Sequence, residues 1–128
     1  NSKVDLLSNE KDLNETSKAN IYIKHINGPL FFGFTSEFVS IANKIPKSAS
    51  IIIVDMEKVP YMDQSGVFAL EDVLLDLDKK NIKILIAGIQ SQPMHLMKTI
   101  GILGELVPKE RIFDNLSDSK AFIINGEE

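Results

Sequence analysis

Short continuous apolar runs alternate along this chain with longer stretches in which apolar residues recur at helical spacing. Ile21-Tyr22-Ile23-Lys24-His25-Ile26 is rich in β-branched residues and reads as a strand. Asn27-Gly28 follows, a strong hairpin signal because both residues tolerate positive φ. Pro29 then opens a second short run, Leu30-Phe31-Phe32, and a proline is permitted where a strand begins. An N-terminal antiparallel hairpin is therefore expected. After Gly33, Thr35 can cap a helix, with Phe34 and Val39 placed as a staple. Phe38, Ile41, Ala42 and Ile45 fall on one face of that helix, and Pro46 ends it.

From Ser50 to Asp55 the chain is apolar without alternation, as in a strand covered on both faces. Ile82-Lys83-Ile84-Leu85-Ile86-Ala87 is a second strand of this kind. Between them Val67, Leu70, Leu74 and Leu77 form one stripe of a helical pattern running to Lys80. Strand, helix, strand of this length predicts a right-handed βαβ unit with parallel strands. Gly88 ends the second strand. Ser91 is placed to cap a third helix with Pro93 in its first turn, Met94, Met97 and Ile100 on its apolar stripe, and Gly101 at its end. Residues 102–110 read as loop and Ile112-Phe113 as a short edge strand. Asn115 with Asp118 starts a last helix that offers Leu116, Ala121, Phe122 and Ile123 for burial. The predicted fold is an α/β domain over residues 20–125. It has a mixed, mostly parallel sheet opened by the hairpin, and about four α-helices. Residues 1–19 are polar with scattered Val4, Leu6, Leu7 and Leu13 and read as a linker, and 126–128 as a tail.

The stretch Val59-Pro60-Tyr61-Met62-Asp63-Gln64-Ser65-Gly66 joins the central strand to the helix after it. Open α/β sheets place their ligand sites at such strand-to-helix junctions. A helix start also presents unpaired N–H groups and the positive end of the dipole, so a phosphate, bound or attached at Ser65, would be favoured there. Chemistry alone favours a plainer purpose for the same residues. Asp63, Gln64 or Ser65 can simply cap the helix by accepting from its first N–H groups.

Composition narrows the chemistry. The chain has 128 residues, enough for one domain with one core, and its 44% hydrophobic and 25% charged content is that of an ordinary soluble globular protein. A net charge of −4 argues against a nucleic-acid footprint and against strong attraction to an anionic membrane surface. With no cysteine there is no disulfide or thiolate chemistry. No apolar run has the length of a membrane span, and the opening residues lack the pattern of a signal peptide. The chain opens on Asn1 rather than Met, which suggests a piece of a longer protein or a processed chain. His25 on a strand and His95 on a helix have no second ligand nearby in sequence, so no metal site is expected. Ser65 lies in no G-x-S-x-G elbow, which leaves a hydrolytic triad with His95 as a remote reading. Neither G-x-G-x-x-G nor a P-loop occurs, and no cofactor is expected. Asp55 and Asp63 could be a carboxylate pair, but a strand-end aspartate and a turn aspartate account for them more simply.

Asp63-Gln64-Ser65-Gly66, following the run at Ile51 to Val54, resembles the signature loop of the STAS domain family. In the anti-sigma-factor antagonists of that family the loop reads D-x-S-G and its serine is phosphorylated; the matching residue here is Ser65. Gly28-Pro29-Leu30-Phe31-Phe32-Gly33, Val59-Pro60-Tyr61-Met62-Asp63 and Ala69-Leu70-Glu71 are more like the STAS domains of SulP-type sulfate permeases. The resemblance covers most of residues 20–124. It implies a non-catalytic regulatory domain on the cytoplasmic side of an inner-membrane anion transporter. Such a domain would dock to the membrane region, to a second copy or to a cytosolic regulatory protein. The docking residues would be Tyr61, Asp63, Gln64, Ser65 and Gly66, with Ser65 as the switch. It also gives residues 1–19 a meaning, as the linker from a membrane region. The alternative within the family is a free-standing antagonist controlled by phosphorylation of Ser65, and outside it a hydrolase using that serine.

Overall fold

The computed structural model describes residues 21–29, 45 and 48–125. Over these residues the chain forms a four-stranded sheet in the order β1-β2-β3-β4, with β1 at Ile21–Asn27, β2 at Ile51–Lys58, β3 at Lys83–Ala87 and β4 at Ile112–Phe113. Every strand pairing is parallel. Three α-helices connect or follow the strands: α1 at Gln64–Lys79, α2 at Ser91–Ile100 and α3 at Leu116–Ile124. The second strand of the expected hairpin, the helix expected from Thr35 and the linker at 1–19 lie outside the described residues.

The unbroken apolar runs are explained by cover on both faces. Ile52, Val54 and Met56 of β2 point into a large apolar cluster with Ile84 and Ile86 of β3, Val67, Leu70, Leu74 and Leu77 of α1, and Met97 of α2. Their neighbours Ile51 and Ile53 point the other way, into a smaller cluster with Ile21, Ile23, Leu85, Ala87 and Ile123 of α3. Ile53 sits opposite Ile23 on one side and Leu85 on the other, and is fully buried. Among the last helix's candidates, Ile123 is buried, Phe122 and Leu116 are half-buried, and Ala121 is exposed.

Three boundaries differ from the sequence reading, each for a local reason. β2 runs on to Lys58, because Asn27 of β1 pairs with Lys58 after a register shift and the Gly28 N–H bonds the Lys58 carbonyl at 2.8 Å. α1 begins at Gln64 rather than in the apolar stripe at Val67, since its first turn is polar and leaves no hydrophobic periodicity. Ser91 is the first residue of α2 and not its cap. Gln90 occupies the cap position without a capping side chain, and its carbonyl accepts the Met94 N–H that closes the first turn.

Candidate functional site

Parallel strands deliver all their carboxyl ends to one edge of the sheet, and the chain leaves β2 and β3 there. At this edge β2 ends, the chain turns through Val59 to Met62, and α1 starts. Val59 and Met62 are fully buried and anchor the turn in the large cluster, while Pro60 and Tyr61 face outward. Asp63 is the N-cap of α1. Its extended backbone, φ −93° and ψ 176°, leaves the side chain free to turn back, and Oδ1 accepts the Gly66 N–H at 2.7 Å. The Asp63 carbonyl accepts the Val67 N–H at 3.0 Å. Capping is thus Asp63's observed role. Gln64 and Ser65 are left exposed on the first turn, and Gly66 is buried beneath them.

Beyond Ser65 the outward face of α1 is unusual. Phe68 is 46% exposed and Leu75 41%, interspersed with the exposed Asp72 and Asp76; Tyr61, 45% exposed, stands on the turn before the helix. The five predicted docking residues are therefore on one contiguous stretch, four of them at least partly exposed and Gly66 buried.

Side chains from other elements hold this edge in place. The Gln92 amide, at the start of α2, accepts the Met62 N–H at 2.9 Å and donates to the Met62 carbonyl at 3.0 Å. Gln90 donates to the Glu57 carbonyl at 2.8 Å. The Glu57 carboxylate accepts the Leu116 N–H at the start of α3 at 3.2 Å. His25 Nδ1 lies 2.6 Å from Asp55 Oδ2, and the other Asp55 oxygen accepts the Glu57 N–H at 3.1 Å. Gly88, at φ +71°, lets Glu57 lie against the end of β3; a methyl group there would sit 2.2 Å from the Glu57 Cγ.

Asp55 pairs with His25 while Asp63 caps α1, so the two carboxylates serve separate partners. His95 is exposed on α2, and among the described residues no hydrogen bond joins it to Ser65. No group of three or more His, Cys, Asp or Glu suited to a metal occurs among the described residues. Lys24, on β1, is buried, and loss of solvation pushes its ammonium below the usual range for lysine.

Sequence reasoning missed the His25–Asp55 pair and the two glutamines. The pair follows from the parallel register, which sets His25 opposite Asp55. That register was the only signal, and it is invisible until β1 is known to lie beside β2.

Comparison with known proteins agrees with the fold. The STAS domain description matches residues 12–119. A Bacillus subtilis (strain 168) protein assigned as a sulfate transporter, YvdB, is 34% identical over 91 residues, covering 70% of this chain. The chain spans only 17% of that protein's length. Among solved structures, a sulfate transporter family protein from Wolinella succinogenes superimposes with a TM-score of 0.72 at 26% identity, covering 80% of this chain and 84% of that one. The STAS domain of a SulP transporter from Vibrio cholerae gives a TM-score of 0.70 at 25% identity, with 82% and 81% covered. The parallel sheet, the Asp63-capped helix and these matches together make the chain a member of the STAS domain family, of the kind found in SulP-type sulfate transporters.

Proposed function

We propose that this domain is the non-catalytic, cytoplasmic regulatory module of a SulP-type anion transporter, and that it docks through the turn at Tyr61 to Ser65 and the outward face of α1. The observation that carries the proposal is the pairing of exposed Phe68 and Leu75 with exposed Ser65 on a helix whose opposite face is buried. Large apolar side chains left in water beside a polar loop are a common mark of a contact surface. In this reading the anion crosses through a membrane region outside these residues, with residues 1–19 as the connection. None of the described helices is long and apolar enough to cross a membrane itself.

Ser65 is the switch in this account. A phosphoryl group there would add a charge of roughly −1.5 to −2. The dipole of α1 would favour it by about 0.3–1 kcal/mol, and the Asp63 carboxylate would oppose it. The surface would become more strongly negative without loss of the fold.

The docking face is tested by Phe68→Asp in the full-length transporter. Transport or its regulation should change while the isolated domain still melts cooperatively. Unchanged transport, with no lost contact to a second copy or a cytosolic protein, would remove α1 from the docking surface.

A further inference from the structure

Gln92 is on α2, yet both polar atoms of its amide are spent on one backbone unit of another segment. It accepts from the Met62 N–H and donates to the Met62 carbonyl. A planar amide that satisfies both groups of a single residue fixes that residue's position and its rotation about the chain, as a neighbouring strand would. Met62 immediately precedes the Asp63 cap. Its side chain is fully buried in the large cluster, so it is held from inside by packing and from the side by Gln92.

Gln90 makes a single such bond at the other end of the turn, donating to the Glu57 carbonyl. It occupies the N-cap position of α2 but makes no side-chain cap bond there. Its side-chain donor is directed instead to the end of β2. The first turn of α2 thus grips the β2–α1 connection at both its ends.

We propose that Gln92 is the positioning residue of the Asp63–Ser65 loop, and that with Gln90 it makes the start of α2 the element to which this loop's conformation is coupled. By fixing Met62, Gln92 places the Asp63 carboxylate over the Gly66 N–H and so turns Ser65 outward. Movement of the loop on docking or modification would then be felt at α2. That regulatory meaning rests on the docking role proposed above; the positioning itself does not.

Two variants of this chain test it, with amide hydrogen exchange and NMR signals followed at single residues. Gln92→Leu removes both hydrogen bonds and keeps the bulk. It should speed exchange at Met62 and at Gly66 by about tenfold relative to Ile53 and Leu85. Gln92→Glu keeps the acceptor but sets a carboxylate against the Met62 carbonyl. When protonated, the new carboxyl regains a donor, so the Met62 and Gly66 signals should return towards those of the parent as pH falls through about 4–5. A role confined to holding Met62 would return the Met62 signal alone and leave the Gly66 signal unmoved. Faster exchange at Met62 alone, with Gly66 unchanged in Gln92→Leu, would overturn the proposal, as would the absence of acid rescue in a domain that stays folded. Neither readout needs a partner. An inert Phe68→Asp in the transporter would therefore sink the docking role and leave this result standing.

Discussion

The two ends of the sheet are built differently. At the amino ends of the strands, α1 passes into β3 through a run of backbone bonds: the Lys80, Asn81 and Ile82 N–H groups bond the last carbonyls of the helix, and the Lys83 N–H bonds the Ser50 carbonyl, while the Lys80 ammonium pairs with Asp76 at 3.0 Å within the helix end. Asn81 takes the left-handed conformation at φ 63°. At the carboxyl ends, beside the backbone bonds from Gly28 to Lys58 and from Gly88 to Phe113, side chains also join segments distant in sequence: His25 with Asp55, Gln92 with Met62, Gln90 with Glu57, and Glu57 with Leu116. The same apolar layers run under both ends, so packing does not account for the difference. Backbone turns are enough to connect elements. Side-chain hydrogen bonds between segments distant in sequence specify one arrangement of one surface, and in this domain they surround the loop that carries Ser65.

The most severe test of this contrast strikes what the ends share. Ile53→Asp would bury a carboxylate between Ile23 and Leu85, and leaving a charge unpaired in such a place costs several kcal/mol. Cooperative unfolding should disappear in a thermal or denaturant melt. A normal transition would mean that the centre of the sheet is not sealed on both faces.

Next in size is a matched pair of glycine replacements, one at each end. Both sites have positive φ, +71° at Gly88 and +100° at Gly104, but nothing lies within 4 Å of an added methyl group at Gly104. Gly104→Ala should cost only the backbone strain, about 1–2 kcal/mol. Gly88→Ala should cost about 3 kcal/mol or more, because the methyl group also collides with Glu57. Equal losses in stability would show that the carboxyl end is no more tightly specified than the amino end.

His25→Ala is smaller again. It leaves the Asp55 carboxylate, largely buried, without one of its partners, and should lower stability by about 1–3 kcal/mol in a denaturant titration. No change would make the pair incidental to that edge.

How much of this was legible beforehand follows the same contrast. The central strands, the buried stripe of α1 and the Asn115 cap were readable, because each is a pattern within a short window. The loop was readable as a junction, and Asp63 as one of its possible caps. Gln90 and Gln92 were not: Gln92 and Met62 are thirty residues apart, and a glutamine beside a proline at a helix start carries no sign of a distant backbone partner. Serine's preference for cap positions points to Ser91, and the closure of the first turn on Gln90 overrides it. Exposed Phe68 and Leu75 could not be told from core residues until the buried face of α1 was fixed by Val67, Leu70, Leu74 and Leu77.

A modified Ser65 should alter a surface without altering the fold, and Ser65→Glu measured in two settings tests this directly. The melting temperature of the isolated domain should be nearly unchanged, since Ser65 is exposed and Asp63, not Ser65, caps α1. In the full-length transporter the same substitution should alter transport or the binding of a partner, and Ser65→Ala should not mimic it. Loss of the fold in Ser65→Glu would contradict the exposed placement. Transport and partner binding left untouched by both variants would reduce the loop to a helix start and nothing more.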